Sequence, residues 1–523
     1  MARVARSGAF KRFVIGNPIA TSEDQHQRLS KKVALPVFAS DAISSTAYAT
    51  EEILIVFLSL AGVGMAAYTK LVPISIMVIV LLAIVATSYR QTIFAYPSGG
   101  GSYVVSKENL GEYPGLIAGA SLLIDYVLTV CVSVAGGVAA IISAFNGLAP
   151  YRVQLCIGFV LLMMLANLRG LKESGALFAP PTYLYVASLI TLIVVGLFRV
   201  FVQDLPPIEH TGEAAHLLEM QSSVTMFYFL KAFASGAVAL TGVEAVSNGV
   251  PAFKKPESKN ASTTLIMMAT ILGGCFFGLS LLAQHLEPVK DHEGIIPNTV
   301  LAQLAEQVYG GRNIFFFITQ FSTFAILILA ANTAYADFPR LTSIIAKDNY
   351  LPRQFMNRGD RLVFSNGVIF LSLASIGLLV AFGGLINALI PLYAVGVFTG
   401  FTLSQTGMCV HHYRHRDAHR DQRRRRADHT LRCRNGRDRE VHRRSVDSRG
   451  LDPDDDDRFQ GSESSLRASP QVFAPSRGIP RAVPHALRHR PRRVGQPGRA
   501  ACPALRRKPA TRPPHRTLGH PDT

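Results

Sequence analysis

The chain has 523 residues, a formal net charge of +18 and 49% hydrophobic residues, with six Cys and no Trp. Through Val410, 25 Lys and Arg face 22 Asp and Glu, whereas from His411 onward the numbers are 28 and 13. The basic balance belongs to a tail and does not argue for nucleic-acid binding. The scattered cysteines, with no CxxC and no His/Cys cluster at zinc spacing, exclude a structural metal site and a disulfide framework.

In chain order, residues 1–32 carry Arg3, Arg6, Lys11 and Arg12 but no apolar run, so this segment is not a cleavable signal peptide. Ten apolar stretches follow, at 33–62, 71–94, 116–145, 153–168, 177–202, 230–253, 262–284, 314–346, 364–382 and 385–410. Each approaches the roughly 20 residues that cross a bilayer as a helix, which predicts an all-α polytopic membrane protein with a ten-span core over 33–410. With the N-terminus inside, 19 of the 25 core Lys and Arg fall on the inner side, among them Lys107, Lys254 and Arg340. The outer side keeps Lys70, Arg152, Arg199, Lys231, Lys290 and Arg312. That asymmetry follows the positive-inside rule.

Ten spans divide into two sets of five, about 33–202 and 230–410, and an odd number per half inserts the second half upside down. Spans one and six are then topological partners, and both are interrupted. Span one carries Ser40-Asp41-Ala42-Ile43-Ser44-Ser45-Thr46-Ala47-Tyr48, an acid and several hydroxyls where a span should be apolar. Span six carries Gly236, Thr241, Gly242 and Glu244. Interrupted helices at matching positions of two halves point to a midplane binding site; the alternative is two kinked helices packed through small residues.

Intramembrane carboxyls are costly and face a pathway or a partner. Asp41 and Tyr48 flank the first break; Asp41 supplies negative charge to a cation or caps a half-helix. Asp125, Thr129 and Ser133 in span three are spaced i, i+4, i+8 and share one helix face, a stripe of hard oxygen ligands. Thr241 and Glu244 lie a turn apart in span six; Glu244 carries a proton, neutralises the site, or pairs with a Lys such as Lys231. Tyr393 in span ten is a gate candidate or a packing residue. Glu51 and Glu52 read as vestibule residues. Ser98-Gly99-Gly100-Gly101-Ser102 lacks the Lys-Ser/Thr of a phosphate loop. No nucleophile–base arrangement stands out, so an enzyme is not expected, and no cofactor is.

The run from Leu29-Ser30-Lys31-Lys32 through Ser40-Asp41-Ala42 and Ser44-Ser45-Thr46-Ala47-Tyr48 to Glu51-Glu52 resembles the amino acid–polyamine–organocation transporter superfamily, and within it the KimA-type potassium importers. The resemblance covers about Leu29 to Val410. It implies the five-plus-five inverted-repeat (LeuT-like) fold, the cytoplasmic membrane, and import of potassium with protons, so that potassium and a proton are the transported species. By position it implies that Tyr48, Asp125, Thr129, Ser133 and Thr241 line the potassium site, that Asp41 and Glu244 are the other functional acids, and that Tyr393 lies near the inner gate. Members form dimers, which this chain's altered C-terminal region puts in question. A proton-coupled amino acid or polyamine permease is the runner-up, and a non-transporting remnant or nutrient sensor is the reading from another class.

The family continues with two further spans and a cytoplasmic regulatory domain. Residues 411–523 hold 27 Arg, one Lys and no apolar run. A disordered basic tail touching anionic lipid is one expectation. A shifted reading frame is the other: if the Asp codons of Leu451-Asp452-Pro453-Asp454-Asp455-Asp456-Asp457 are mostly GAT, reading one nucleotide later restores an apolar run.

Overall fold

A computed structural model describes residues 30–99, 101–169, 175–220, 222–356 and 364–414. The N-terminal segment through residue 29 and the tail from 415, with the expectations of disorder and a shifted frame, lie outside the described residues. Among the described residues the regular elements are helices. Helices α1 (Lys31–Ser44) and α2 (Ala49–Ile55) are joined by a 3-10 turn at Ser45–Ala47. Then come α3 (Ala66–Ala95), α4 (Ser102–Leu110), α5 (Glu112–Ala144), α6 (Arg152–Leu168), α7 (Gly175–Val202) and α8 (Glu213–Glu219). Helices α9 (Met226–Gly236) and α10 (Ala245–Asn248) flank a second 3-10 turn at Ala237–Leu240. The chain continues through α11 (Glu257–Leu286), α12 (Val300–Tyr309), α13 (Ile314–Lys347), α14 (Ser365–Ala381) and α15 (Ile386–Arg414).

Nine segments among the described residues are long and apolar enough to cross a membrane. The tenth expected span is α14, with 17 residues, about 25 Å at 1.5 Å per residue, near the lower bound for spanning. The ten apolar stretches thus correspond to ten helical segments, and the chain is a multi-pass all-α membrane protein.

Burial decides where polar residues are tolerated. In the first segment, Ala34–Leu60, 89% of the apolar window is buried inside the protein; in Asn146–Leu168 and Phe178–Val202 it is 17% and 22%. Helices α11 and α13 pack on α1, and α7 packs on it from another side. Acids and hydroxyls of α1 and α2 therefore meet protein, where backbone and side chains can satisfy them, instead of hydrocarbon. The peripheral helices turn Leu162, Val194 and Phe198 outward, as lipid-facing surfaces require.

Candidate functional site

The first break has a local chemical cause. The Ser44, Ser45 and Thr46 hydroxyls donate to the carbonyls of Asp41, Ala42 and Ile43, three residues back, at 2.7, 2.6 and 2.7 Å. Three consecutive hydroxyls competing for i−3 carbonyls favour the tighter turn over α-helical bonding. Helical geometry fails at Tyr48 (φ −127°, ψ −17°) and resumes in α2. Two of the hydroxyls also tie the break to its surroundings: Ser45 to the carbonyl of Ala239 at 3.0 Å and Thr46 to the Tyr185 hydroxyl at 2.7 Å. Most of the polar run is thus spent on bending and anchoring the helix. Two of its hydroxyls reach the second break: Ser45 bonds its backbone, and the Tyr48 phenol meets the Thr241 side chain.

The second break is built on Thr241 and Gly242. Thr241 is extended (φ −60°, ψ 147°) and Gly242 has φ +79°, a conformation that favours glycine. Glycines of this segment receive side chains of the first. A Cβ on Gly242 would lie 2.7 Å from Asp41 Oδ2 and 2.8 Å from the Ala42 amide; one on Gly249 would overlap the Phe38 ring, and one on Gly236 would meet Ile53 at 2.6 Å. Phe38 in turn stacks on Phe253 with centroids 5.2 Å apart. The two interruptions are therefore docked against each other through missing side chains.

Six of the eight residues singled out in the sequence fall into three neighbouring pairs, one of them hydrogen-bonded. Asp41, Tyr48, Asp125, Thr129, Ser133, Thr241, Glu244 and Tyr393 are all buried, each at most 8% exposed. The Thr129 and Tyr393 hydroxyls are hydrogen-bonded at 2.9 Å, so Thr129 does not merely bond back to its own helix. The Tyr48 phenol lies beside the Thr241 hydroxyl. The carboxyl groups of Asp125 and Glu244 face each other, with Asp41 within electrostatic reach of both. Ser133 is placed one turn beyond Thr129 on the same face of α5. Three oxygens here have no hydrogen-bond partner: Asp125 Oδ1, Thr241 Oγ1 and Glu244 Oε2. Among the described residues, none of Asp41, Asp125 and Glu244 forms an ion pair, and the alternative pairing of Glu244 with Lys231 is not made. Each buried polar group without a partner costs about 1–3 kcal/mol. A group of carboxyl and hydroxyl oxygens left in that state is suited to a partly dehydrated cation.

The structure adds residues that the sequence reading missed. Asp337 of α13 lies within electrostatic reach of Asp41, Glu244 and Tyr126 and also pairs with Arg340 at 3.4 Å. It carries the same signal as the other acids, a carboxyl in an apolar stretch, but the arginine one turn later marks it as an inner-surface charge. Tyr89 of α3, 2% exposed, has no partner for its hydroxyl and lies near Glu244 and Asp125. Nothing in the local sequence separates it from an ordinary packed tyrosine. Glu51 and Glu52, read as vestibule residues, are buried at 4% and 2% exposure.

Comparison with known proteins agrees with this architecture. The model of the amino acid permease family matches residues 35–430. The potassium transporter KimA of Bacillus subtilis (strain 168) is 50% identical over 403 residues, covering 77% of this chain and 64% of KimA. The low affinity potassium transport system protein Kup of Yersinia pestis (strain Pestoides F) is 28% identical over 204 residues, covering 36% of this chain and 31% of Kup. The chain thus spans less than two thirds of the length of either relative. With the family model covering most of the ten-helix region, this chain belongs to the amino acid permease family.

Proposed function

We propose that the chain is a secondary transporter that imports potassium together with protons across the cytoplasmic membrane, N-terminus inside, with its two sets of five helices related as an inverted repeat. The observation that carries this reading is the trio of unpartnered buried oxygens on Asp125, Thr241 and Glu244, at the meeting of two broken helices. The 50% identity to a potassium transporter supports it. Tyr48, Asp125, Thr129, Ser133 and Thr241 replace water around potassium. Asp41 and Glu244 supply negative charge and exchange a proton, since several carboxyls in one low-dielectric site without a basic partner take up either a cation or protons. Tyr393, held by Thr129, closes the path on the inner side. Each positive charge moving inward gains about 2.3 kcal/mol per 100 mV of membrane potential, and one co-transported proton doubles that electrical drive.

The test is growth of a potassium-uptake-deficient bacterium at micromolar potassium, with the chain as given beside a version restored to the other frame after residue 410. Rescue by either supports potassium import, and rescue by the first shows that the tail is dispensable. Failure of both, with protein present in the membrane, overturns the reading. The family model favours a second reading, an amino acid permease. The carboxyl cluster speaks against it, because it repels a substrate carboxylate. Stabilisation of the purified protein by an amino acid and not by potassium would establish that alternative.

A further inference from the structure

Glu51 and Glu52 are neighbours at the start of α2, and the structure treats them differently. Glu51 Oε2 accepts the amide of Val300 at 2.8 Å, one of the donors that the first turn of α12 leaves unpaired. Glu52 has no such role: its Oε1 is buried without a partner, and among the described residues it forms no ion pair. Its amide bonds the carbonyl of Tyr48 at 2.9 Å, so Glu52 stands one turn beyond Tyr48 on the same helix face. The Tyr48 phenol is within its electrostatic reach.

The segment after α11 carries a cation that acts on Glu52. Lys290 is 8% exposed. Its ammonium is held by the carbonyls of Ile296 and Asn298 and acts on Glu51 and Glu52 through space. Burial pushes the Lys290 ammonium down, and Glu51 and Asp291 pull it back up. Asp291 is occupied by the amides of Ile295 and Ile296, at 2.7 and 2.8 Å. Arg152 runs under Gly294. Lys290 and Asp291 are thus already engaged with backbone groups, whereas Glu52 keeps a buried carboxyl oxygen without a partner, as Arg152 does its Nε.

Building on the cation-transport reading, we propose that Glu52 is a staging site for the monovalent cation on the outer approach to Tyr48, with the Lys290 ammonium as the resident counter-charge against which the incoming cation competes. Glu51 is excluded from this role because its carboxylate caps α12.

The experiment is the potassium dependence of uptake in cells, with thermal stabilisation of the purified full chain by potassium chloride against choline chloride as a readout independent of turnover. Glu52→Gln keeps the shape and removes the charge. It raises the half-saturating potassium concentration at least about tenfold, the direction that loss of one opposite charge demands, and leaves the maximal rate within about twofold. Lys290→Met lowers the half-saturating concentration. Opposite signs for the two variants are the signature, because a packing role moves both the same way. If Glu52→Gln does not reach the membrane, Glu52→Asp keeps the charge and must preserve the wild-type half-saturation, while Lys290→Met still supplies the sign. An unchanged half-saturation in Glu52→Gln, or the same direction in both variants, overturns the proposal and leaves potassium import standing. A wild-type chain that neither moves nor is stabilised by potassium removes the transport reading and this inference with it.

Discussion

Two groups of polar residues in this molecule are built from similar parts and end in opposite states. At one end of the bundle, Lys107 of α4 meets Asp348 after α13 at 2.6 Å, and the Tyr103 hydroxyl donates to the same carboxylate oxygen at 2.6 Å. At the centre, Asp125, Thr241 and Glu244 each keep an oxygen with no donor. The first group is partly exposed, with side-chain exposures of 34% and 32% for Lys107 and Asp348, and its acceptor is satisfied by a charge-assisted bond and a phenol. The second is buried and short of donors. Partners lock a carboxylate into the scaffold; without them it keeps capacity for something that arrives from outside. The contrast, more than the presence of acids, separates a strut from a site.

The strongest way to break the comparison is at the centre. Asp125→Asn and Thr241→Ala abolish potassium uptake while leaving the protein folded in the membrane, measured by uptake beside membrane yield. Loss of the protein itself would make these residues part of the scaffold. Gly242→Ala also abolishes uptake and lowers the melting temperature, because the methyl meets both Asp41 and the Ala42 amide and φ is positive; such overpacking costs about 1–3 kcal/mol. Tyr393→Phe removes the hydroxyl bonded to Thr129 and weakens apparent potassium affinity about tenfold, one hydrogen bond's worth near 1.4 kcal/mol. Unchanged affinity would leave Tyr393 a packing residue.

The smallest effect belongs to the satisfied group. The Lys107 hydrogen bond, then that of Tyr103, holds the Asp348 carboxyl below the usual carboxylate range, and Asp348 holds the Lys107 ammonium above its ordinary value. A depressed acid adds stability above its unfolded pKa and loses it as pH falls through the folded one; a raised base keeps its contribution until pH climbs through the raised value. Asp348→Asn therefore lowers the melting temperature slightly at neutral pH and leaves uptake intact. The difference from wild type fades as pH falls below the carboxylate range. A pH-independent difference would mean that the link is not electrostatic.

Much of the architecture was legible in the residues alone, because its causes are local. Ten apolar stretches correspond to ten helical segments, since bilayer thickness dictates span length. The breaks at Ser45–Ala47 and around Gly242 were marked by hydroxyl and glycine runs, and the Asp125–Thr129–Ser133 stripe by helical periodicity. The tertiary structure alone decided which polar atoms are spent and which stay free. Ser45 reaches the carbonyl of Ala239, 194 residues away, so a hydroxyl of the polar run serves as a bolt between the two breaks. Tyr89 joins the central cluster from a helix whose own sequence gives no reason for it, Asp337 joins it although Arg340 one turn later marks it as a surface charge, and Glu51 is satisfied by an amide 249 positions on while its neighbour Glu52 is not. Span length, helix face and break position follow from neighbours along the chain, but whether a buried oxygen finds a donor depends on which distant segment packs against it.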